Sequence, residues 1–358
     1  MQGQRIVTDK QFVHPLFEHI VDLYITAQRF TDSDLGVGGV YKALMPLFNC
    51  LCVGAGKQVS YSSVDSPIAL TRYMVPILID KQNCVTVCFS GGKDSTALAM
   101  KLKEEGKNVY LYFLKGINKS YPDEYKRAEK VASILGLPLY IDEIKLSGKS
   151  AFKENPMKNQ VVATFALNYA IQHNLGCHIA FGDFTDDTAD KAAWDRNWSD
   201  TVEMWDAYRS VISSIIPGFQ LLTPFKNYTE TLAIVSKNQE ILENVQGCLA
   251  PMRFREHWRE QNTKKYGNVL LPNRCGSCWK CCVEYIYLVG QLKGFQIERL
   301  GLEDKGYFIT HCLRILKSRL STEHPYIKEV KATKDLHEIY LPGCYIPDLV
   351  QCIVYDSL

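Results

Sequence analysis

The chain has 358 residues, 46% hydrophobic and 22% charged, which suits one large domain or two modest ones and excludes a peptide, a knottin-like module or an extensively disordered chain. Lys and Arg total 41 against 39 Asp and Glu, a net charge of +2 that argues against a chain-wide grip on nucleic acid. The 13 cysteines are the compositional anomaly: an odd count, unevenly spaced, does not make a small secreted disulfide scaffold.

The opening MQGQRIVTDK has no apolar segment ahead of a small-residue cleavage site, and no window reaches the roughly 18 apolar residues of a membrane span, so a cytoplasmic location is expected. In a reducing compartment, clustered cysteines point to metal or chemistry rather than to disulfides. Residues 1–80 carry no single period and read as an N-terminal extension packed on the main domain. Within them CVGAGKQ at 52–58 invites a phosphate-loop reading, but Walker A needs Gly at 51 and Ser or Thr at 58, where the chain has Leu51 and Gln58.

From residue 84 the pattern becomes regular. Cys84 to Phe89 predicts a buried strand, and Ser95 to Glu105, with Leu98, Ala99 and Leu102 on one face, predicts a helix closed by Gly106. Val109 to Leu114 is a second strand, Asp123 to Leu135 a helix stopped at Gly136, and Pro138 to Ile141 a third strand. A helix over Lys158 to His173 precedes the strand His178 to Phe181, a single helix is expected over Thr229 to Val245, and Cys281 to Leu292 reads as helical. Strand–helix alternation of this kind means an α/β fold, a doubly wound parallel sheet. Ligands bind such sheets outside the carboxyl ends of the strands, so the loops after Phe89, Leu114, Ile141 and Phe181 are expected to line the site.

The loop after the first strand reads Ser90-Gly91-Gly92-Lys93-Asp94-Ser95-Thr96. Paired glycines let the backbone approach a ligand, and Ser95 and Thr96 stand at a helix start whose unpaired N–H groups attract phosphate. Farther on, Cys275, Cys278 and Cys281 have C-x2-C-x2-C spacing, which lets thiolates converge on one ion. Cys248, which precedes the insertion-like stretch 251–270, is chosen as the fourth ligand. A closed four-cysteine site suits structural Zn²⁺; the same donors serve iron–sulfur clusters. The remaining cysteines read as small buried hydrophobes, and Cys282 has no assigned role.

Ser90 to Ser95 matches the SGGxDS loop of the PP-loop ATP pyrophosphatases, a resemblance that implies cleavage of ATP between the α and β phosphates. Lys93, Asp94 and Ser95 are then the catalytic candidates, and Ser90, Gly91, Gly92 and Thr96 join them in holding ATP and its Mg²⁺. Together with the CGxCxxC cluster, the loop resembles the QueC family, the 7-cyano-7-deazaguanine synthases, over residues 81–290. The resemblance implies a PP-loop (HUP-like) domain there, a structural zinc, and adenylation of 7-carboxy-7-deazaguanine followed by attack of an amine. Glu154-Asn155-Pro156-Met157-Lys158-Asn159 occupies the place of the family's V-P-G-R-N turn, with Met157 and Lys158 for its Gly and Arg. Asp183, Asp200 and Glu203 are the acidic candidates for the donors of the base, joining Lys158 and Asn159 as substrate contacts. Asp200-Thr201-Val202-Glu203 has one residue fewer between its carboxylates than the family's D-x-x-x-E-F, and Met204 in the aromatic place.

The extensions 1–80 and 291–358 and the long interval before Cys275 exceed the housekeeping core. They are similar to enlarged QueC-like proteins of antiviral defence operons, including type IV CBASS, where a partner protein's N-terminal amine can take the acyl group. Ammonia as the acceptor gives the nitrile instead. Two other readings stay open: a PP-loop tRNA sulfurtransferase using the cysteines, and a non-catalytic nucleotide-binding subunit. The oligomeric state, a homodimer included, is not set by the sequence.

Overall fold

The β-branched run that opens the regular part of the sequence becomes the central strand of a parallel sheet. The structure, a computed structural model, describes residues 6–7, 11–27, 37–54, 61–64, 83–117, 124–146, 157–182, 201–225, 228–248, 252–266, 273–278, 281–282, 284–285 and 312. Ahead of the sheet lie β1 (Ile6–Val7), α1 (Pro15–Ala27), β2 (Val37–Tyr41), α2 (Met45–Gly54) and β3 (Tyr61–Val64). The main run is β4 (Cys84–Cys88), α3 (Lys93–Glu104), β5 (Asn108–Lys115), α4 (Glu124–Leu135), β6 (Leu139–Glu143), β7 (Lys145–Leu146), α5 (Lys158–Gln172), β8 (His178–Ala180), α6 (Val202–Ile215) and β9 (Gln220–Leu222). After it come α7 (Tyr228–Val235), α8 (Gln239–Asn244) and α9 (Met252–Tyr266).

Five strands form one sheet in the order β6-β5-β4-β8-β9, every neighbouring pair parallel. The chain therefore winds outward from β4 in one direction through β5 and β6, then returns to place β8 and β9 on the other side. This is the doubly wound α/β architecture expected from the alternation, and its switch point lies beside the carboxyl end of β4. Register pairs Val85 with Val109 and Thr86 with Ile179, so β4 has a hydrogen-bonded neighbour on both edges. All five of its residues are buried, as a central strand of a parallel sheet requires.

By internal packing the chain divides into two units. The first takes the described parts of 1–90, 95–187 and 194–226, the second those of 91–94 and 227–358. In the first unit, α5 is buried on nearly every side, because the sheet lies under it and α1 packs over it. Phe12 meets Phe165 edge-on at 5.2 Å between ring centroids, and the Val13 amide donates to Asn168 Oδ1 at 2.8 Å. Thr164 and Asn168, polar residues that α5 takes inside, are paired, Thr164 Oγ1 with Tyr208 OH at 3.1 Å. Part of the N-terminal extension accordingly belongs to the core of the sheet's own unit.

Four expectations change. The first helix starts at Lys93, two residues before Ser95. The helix expected over Thr229 to Val245 is two helices, α7 and α8, because Asn238 breaks it: its Oδ1 accepts from the Ile241 amide at 3.1 Å and caps the second. Helix α6 was not anticipated: Thr201 Oγ1 accepts from the Met204 amide at 3.3 Å and starts it at Val202, within the segment likened to the family's acidic D-x-x-x-E-F. Strand β9 was not anticipated, since three residues show no periodicity. Of the helix expected over Cys281 to Leu292, residues 281, 282, 284 and 285 are helical and the rest lie outside the described residues. Among the described residues no helix is long and apolar enough to cross a membrane.

Candidate phosphate loop and metal centre

The loop leaving β4 is shaped by hydrogen bonds of its own residues. Ser95 Oγ accepts from the Ser90 amide at 3.2 Å and lies 3.2 Å from Ser90 Oγ, so the two serines close the loop across its base. Gly91 takes φ +66°, a left-handed conformation in which a side chain is strained, and this explains glycine at that position. Helix α3 then begins at once, and its N-terminal end carries the positive end of the helix dipole, which attracts anions.

Lys93 is buried, 2% exposed, and its ammonium turns inward to Asp94 Oδ1 and Thr231 Oγ1. Thr231, on α7, also donates to Asp94 Oδ1 at 2.8 Å. Lys93, Asp94 and Thr231 form one knot that fixes the first turn of α3. The Asp94 side chain keeps 32% exposure, whereas Thr96 is fully buried and its hydroxyl finds no partner among the described residues. Thr231 carries no motif, so only the fold reveals it.

The remaining sequence candidates sit at helix starts. Lys158 and Asn159 open α5, Asn159 buried and Lys158 partly so, and Glu203 lies exposed in the first turn of α6. Both helices are crossovers between parallel strands, so their N-termini face the carboxyl edge of the sheet, where ligands of such folds bind. A carboxylate at Glu203 also complements the N-terminal dipole of α6. Asp183 and Asp200 lie outside the described residues.

The four chosen cysteines come together. The Sγ atoms of Cys248, Cys275, Cys278 and Cys281 all lie within 4.8 Å of one another. Cys248 and Cys278 are separated by 3.8 Å, Cys275 and Cys281 by 3.9 Å. A tetrahedral ion with metal–sulfur bonds of about 2.3 Å spaces its sulfurs by about 3.8 Å, so the donor set fits one metal ion. The amides of Ser277 and Cys278 donate to Cys275 Sγ at 3.3 and 3.2 Å, wrapping the chain around that sulfur. Hydrogen bonding with Cys248 opposes ionisation of Cys278, but bonds from Cys275 and Cys281 prevail and draw its thiol down to about 7. Bonding to Cys248 pushes Cys275 up, and burial does the same for Cys281.

Residues with no motif hold this centre. Asn262 of α9 donates to the Cys275 carbonyl at 2.7 Å and to Ser277 Oγ at 2.8 Å, giving the insertion-like stretch a structural purpose. Arg274, immediately before Cys275, is buried; its Nε donates to Glu284 Oε2 at 2.8 Å and its guanidinium also reaches the Val245 carbonyl. Burial opposes the Arg274 charge, but the Glu284 carboxylate and the nearby Cys281 outweigh that effect and hold it protonated. Gly247 is required by close approach: a Cβ there would run into the Glu284 carboxylate. Cys282 donates to the Gly276 carbonyl at 3.9 Å, and its hydrogen bond with Cys312, followed by burial, pushes its thiol well up.

No family model and no curated protein sequence matches the chain. Among solved structures it is similar to a predicted subunit of tRNA methyltransferase from Methanocaldococcus jannaschii, at 24% identity and a TM-score of 0.27 over 42% of this chain and 73% of that one. It is also similar to NMN synthetase from Francisella tularensis, at 12% identity and a TM-score of 0.24 over 53% of this chain and 90% of that one. Similarities this partial assign no activity; the loop and the cysteines have to be read for themselves.

Proposed function

We propose that the protein is an ATP-dependent adenylating enzyme of the PP-loop type that activates 7-carboxy-7-deazaguanine and passes the acyl group to an amine. The observation that carries the reading is the Ser90–Ser95 loop: closed by its two serines, turned by Gly91 at φ +66°, and leading into α3 beside the switch point of the sheet. A carboxylate oxygen of the substrate attacks the α-phosphorus, the acyl adenylate forms, and pyrophosphate leaves toward amides that stabilise its developing charge. Ser90, Gly91, Gly92 and Ser95 supply that cradle. Asp94, anchored by Lys93 and Thr231, is a fixed carboxylate beside it, and Mg²⁺ enters as the counter-ion of the nucleotide. Lys93 acts from beneath, by holding Asp94, because its ammonium is buried in that contact.

The four thiolates hold structural Zn²⁺ in this reading. Their mutual distances favour one ion over an iron–sulfur cluster, whose thiolates are distributed over several irons. In this reading Lys158, Asn159 and Glu203 contact the planar carboxylate, and the acceptor is ammonia or the N-terminal amine of a partner protein. Incubation with ATP, Mg²⁺ and 7-carboxy-7-deazaguanine is expected to release equal amounts of AMP and pyrophosphate. Release of ADP and phosphate, or no AMP with any of a panel of planar carboxylates, overturns the reading. A brown protein containing iron and no zinc would favour the sulfurtransferase reading.

A further inference from the structure

Within the second unit, a four-residue segment joins the cysteine centre to Gly92 and Lys93 of the phosphate loop. The Lys93 amide donates to the Gln246 carbonyl at 3.1 Å, and Gly92 and Gln246 form an isolated parallel bridge. Gln246 Nε2 donates to the carbonyl of Cys248, a metal-ligand candidate, at 2.9 Å. On the other side of Gln246, the Val245 carbonyl takes the Arg274 guanidinium, and Arg274 is followed directly by Cys275. Glu284, three residues past Cys281, holds Arg274 at 2.8 Å. Val245 to Cys248 is therefore fastened at both ends to residues adjoining the thiols, while its middle fixes the two loop residues that precede Asp94.

We infer that Gln246 is a positioning residue through which the metal ion and the nucleotide are thermodynamically linked, the ion fixing the Gly92–Lys93 backbone and bound nucleotide in turn retaining the ion. The inference rests on the nucleotide-binding reading of the loop. The physical ground is that an isolated bridge has no neighbouring ladder to hold it. Its carbonyl stays aimed at the Lys93 amide only as long as the segment carrying it is fixed. Without an ion nothing draws the four thiols together, and the segment then loses one of its two anchors. Linkage requires both effects to have the same size, and couplings of this kind amount to about 5- to 150-fold in affinity.

The test uses the full chain and MgATP without a carboxylate substrate. Metal-loaded wild type is titrated calorimetrically, then compared with chelator-stripped protein and with loaded Gln246→Ala, which keeps all four thiols. In parallel, release of the metal to a colorimetric chelator is timed with and without MgATP. About a tenfold weaker nucleotide affinity is expected in the stripped protein, with metal release slowed by MgATP in the wild type and scarcely slowed in Gln246→Ala. Gln246→Ala is expected to retain one ion per chain and the wild-type thermal midpoint while losing nucleotide affinity, a combination that a merely structural role would not produce. If the stripped chain loses its far-ultraviolet dichroism, the comparison of loaded wild type with loaded Gln246→Ala decides. Equal affinities across the forms, with metal release indifferent to MgATP, overturn the linkage and leave the nucleotide reading standing. No binding by the loaded wild type overturns both.

Discussion

The sheet of the first unit and the cysteine segment of the second are built from opposite materials. Around β4 the buried residues are Val85, Val87, Leu111 and Ile179, whose removal from water is favourable wherever the chain places them together. Around the thiols the buried residues include Arg274, Glu284 and Asn262, which cost free energy to bury and are retained only through specific partners. Non-directional burial tolerates small errors; a network of paired polar groups does not. The expected difference is that the sheet withstands local damage and the cysteine segment fails as a whole.

With the four thiols read as a metal site, removing the ion is the largest perturbation available. Structural thiolate sites contribute about 10–16 kcal/mol of apparent binding energy near neutral pH, and that energy holds the local fold. Cys275→Ser or chelation is expected to abolish hydrogen-exchange protection at residues 245–248 and 273–278, with amides of β4, β5 and β8 still protected. Equal loss of protection in both regions breaks the comparison. Acid sensitivity is expected of the same proposed site. Every thiol must shed its proton to bind, and Cys275 and Cys281 are pushed above the usual thiol range while Cys278 is drawn down to about 7, so affinity should rise with pH, with protons released as the ion binds.

Breaking the buried ion pair comes next. Arg274→Met leaves the Glu284 carboxylate buried without its cation, a loss of about 3–5 kcal/mol, while pairing it with Glu284→Leu should recover much of that, since an apolar pair has no charge to compensate. Denaturant midpoints of the two singles and the double close the cycle. A single variant as stable as the wild type would show that the segment does not depend on this pair.

How far the sequence reveals each region follows the same division. Cys84 to Phe89 and Ser95 to Glu105 announce a strand and a helix because apolar spacing is periodic, and the sheet emerges almost complete from such runs. Its gaps are physical: Gln220–Leu222 is too short to show a period, and an N-cap at Asn238 outweighs the apolar spacing that continues through it. At the candidate site, the glycines of the loop and the C-x2-C-x2-C spacing are legible because a local conformation or a shared ion dictates them. Thr231, Gln246, Asn262 and Arg274 are not, because their partners stand at no fixed spacing and nothing in their neighbours marks the pairing. Cys248 is intermediate: its place ahead of the insertion-like stretch selects it as the fourth ligand without any fixed spacing, and the four sulfurs do converge.

The smallest expected effect bears on the sheet. Burial, followed by the positive charge of Lys107, lowers the pKa of His178 on β8 below its usual value. The unfolded chain therefore binds a proton that the folded chain refuses, and stability falls as pH drops through about 6.5, the ordinary histidine range. His178→Gln removes this titration, so its thermal midpoint should vary less than that of the wild type between pH 7 and pH 5. The change stays small because His178 is only half-buried and one proton is involved, against several at the thiols. Following far-ultraviolet dichroism and metal release over the same pH series separates the two regions. His178→Gln is expected to flatten the first curve and leave the second alone; a variant that shifts both curves together would mean that one acid transition governs the whole chain.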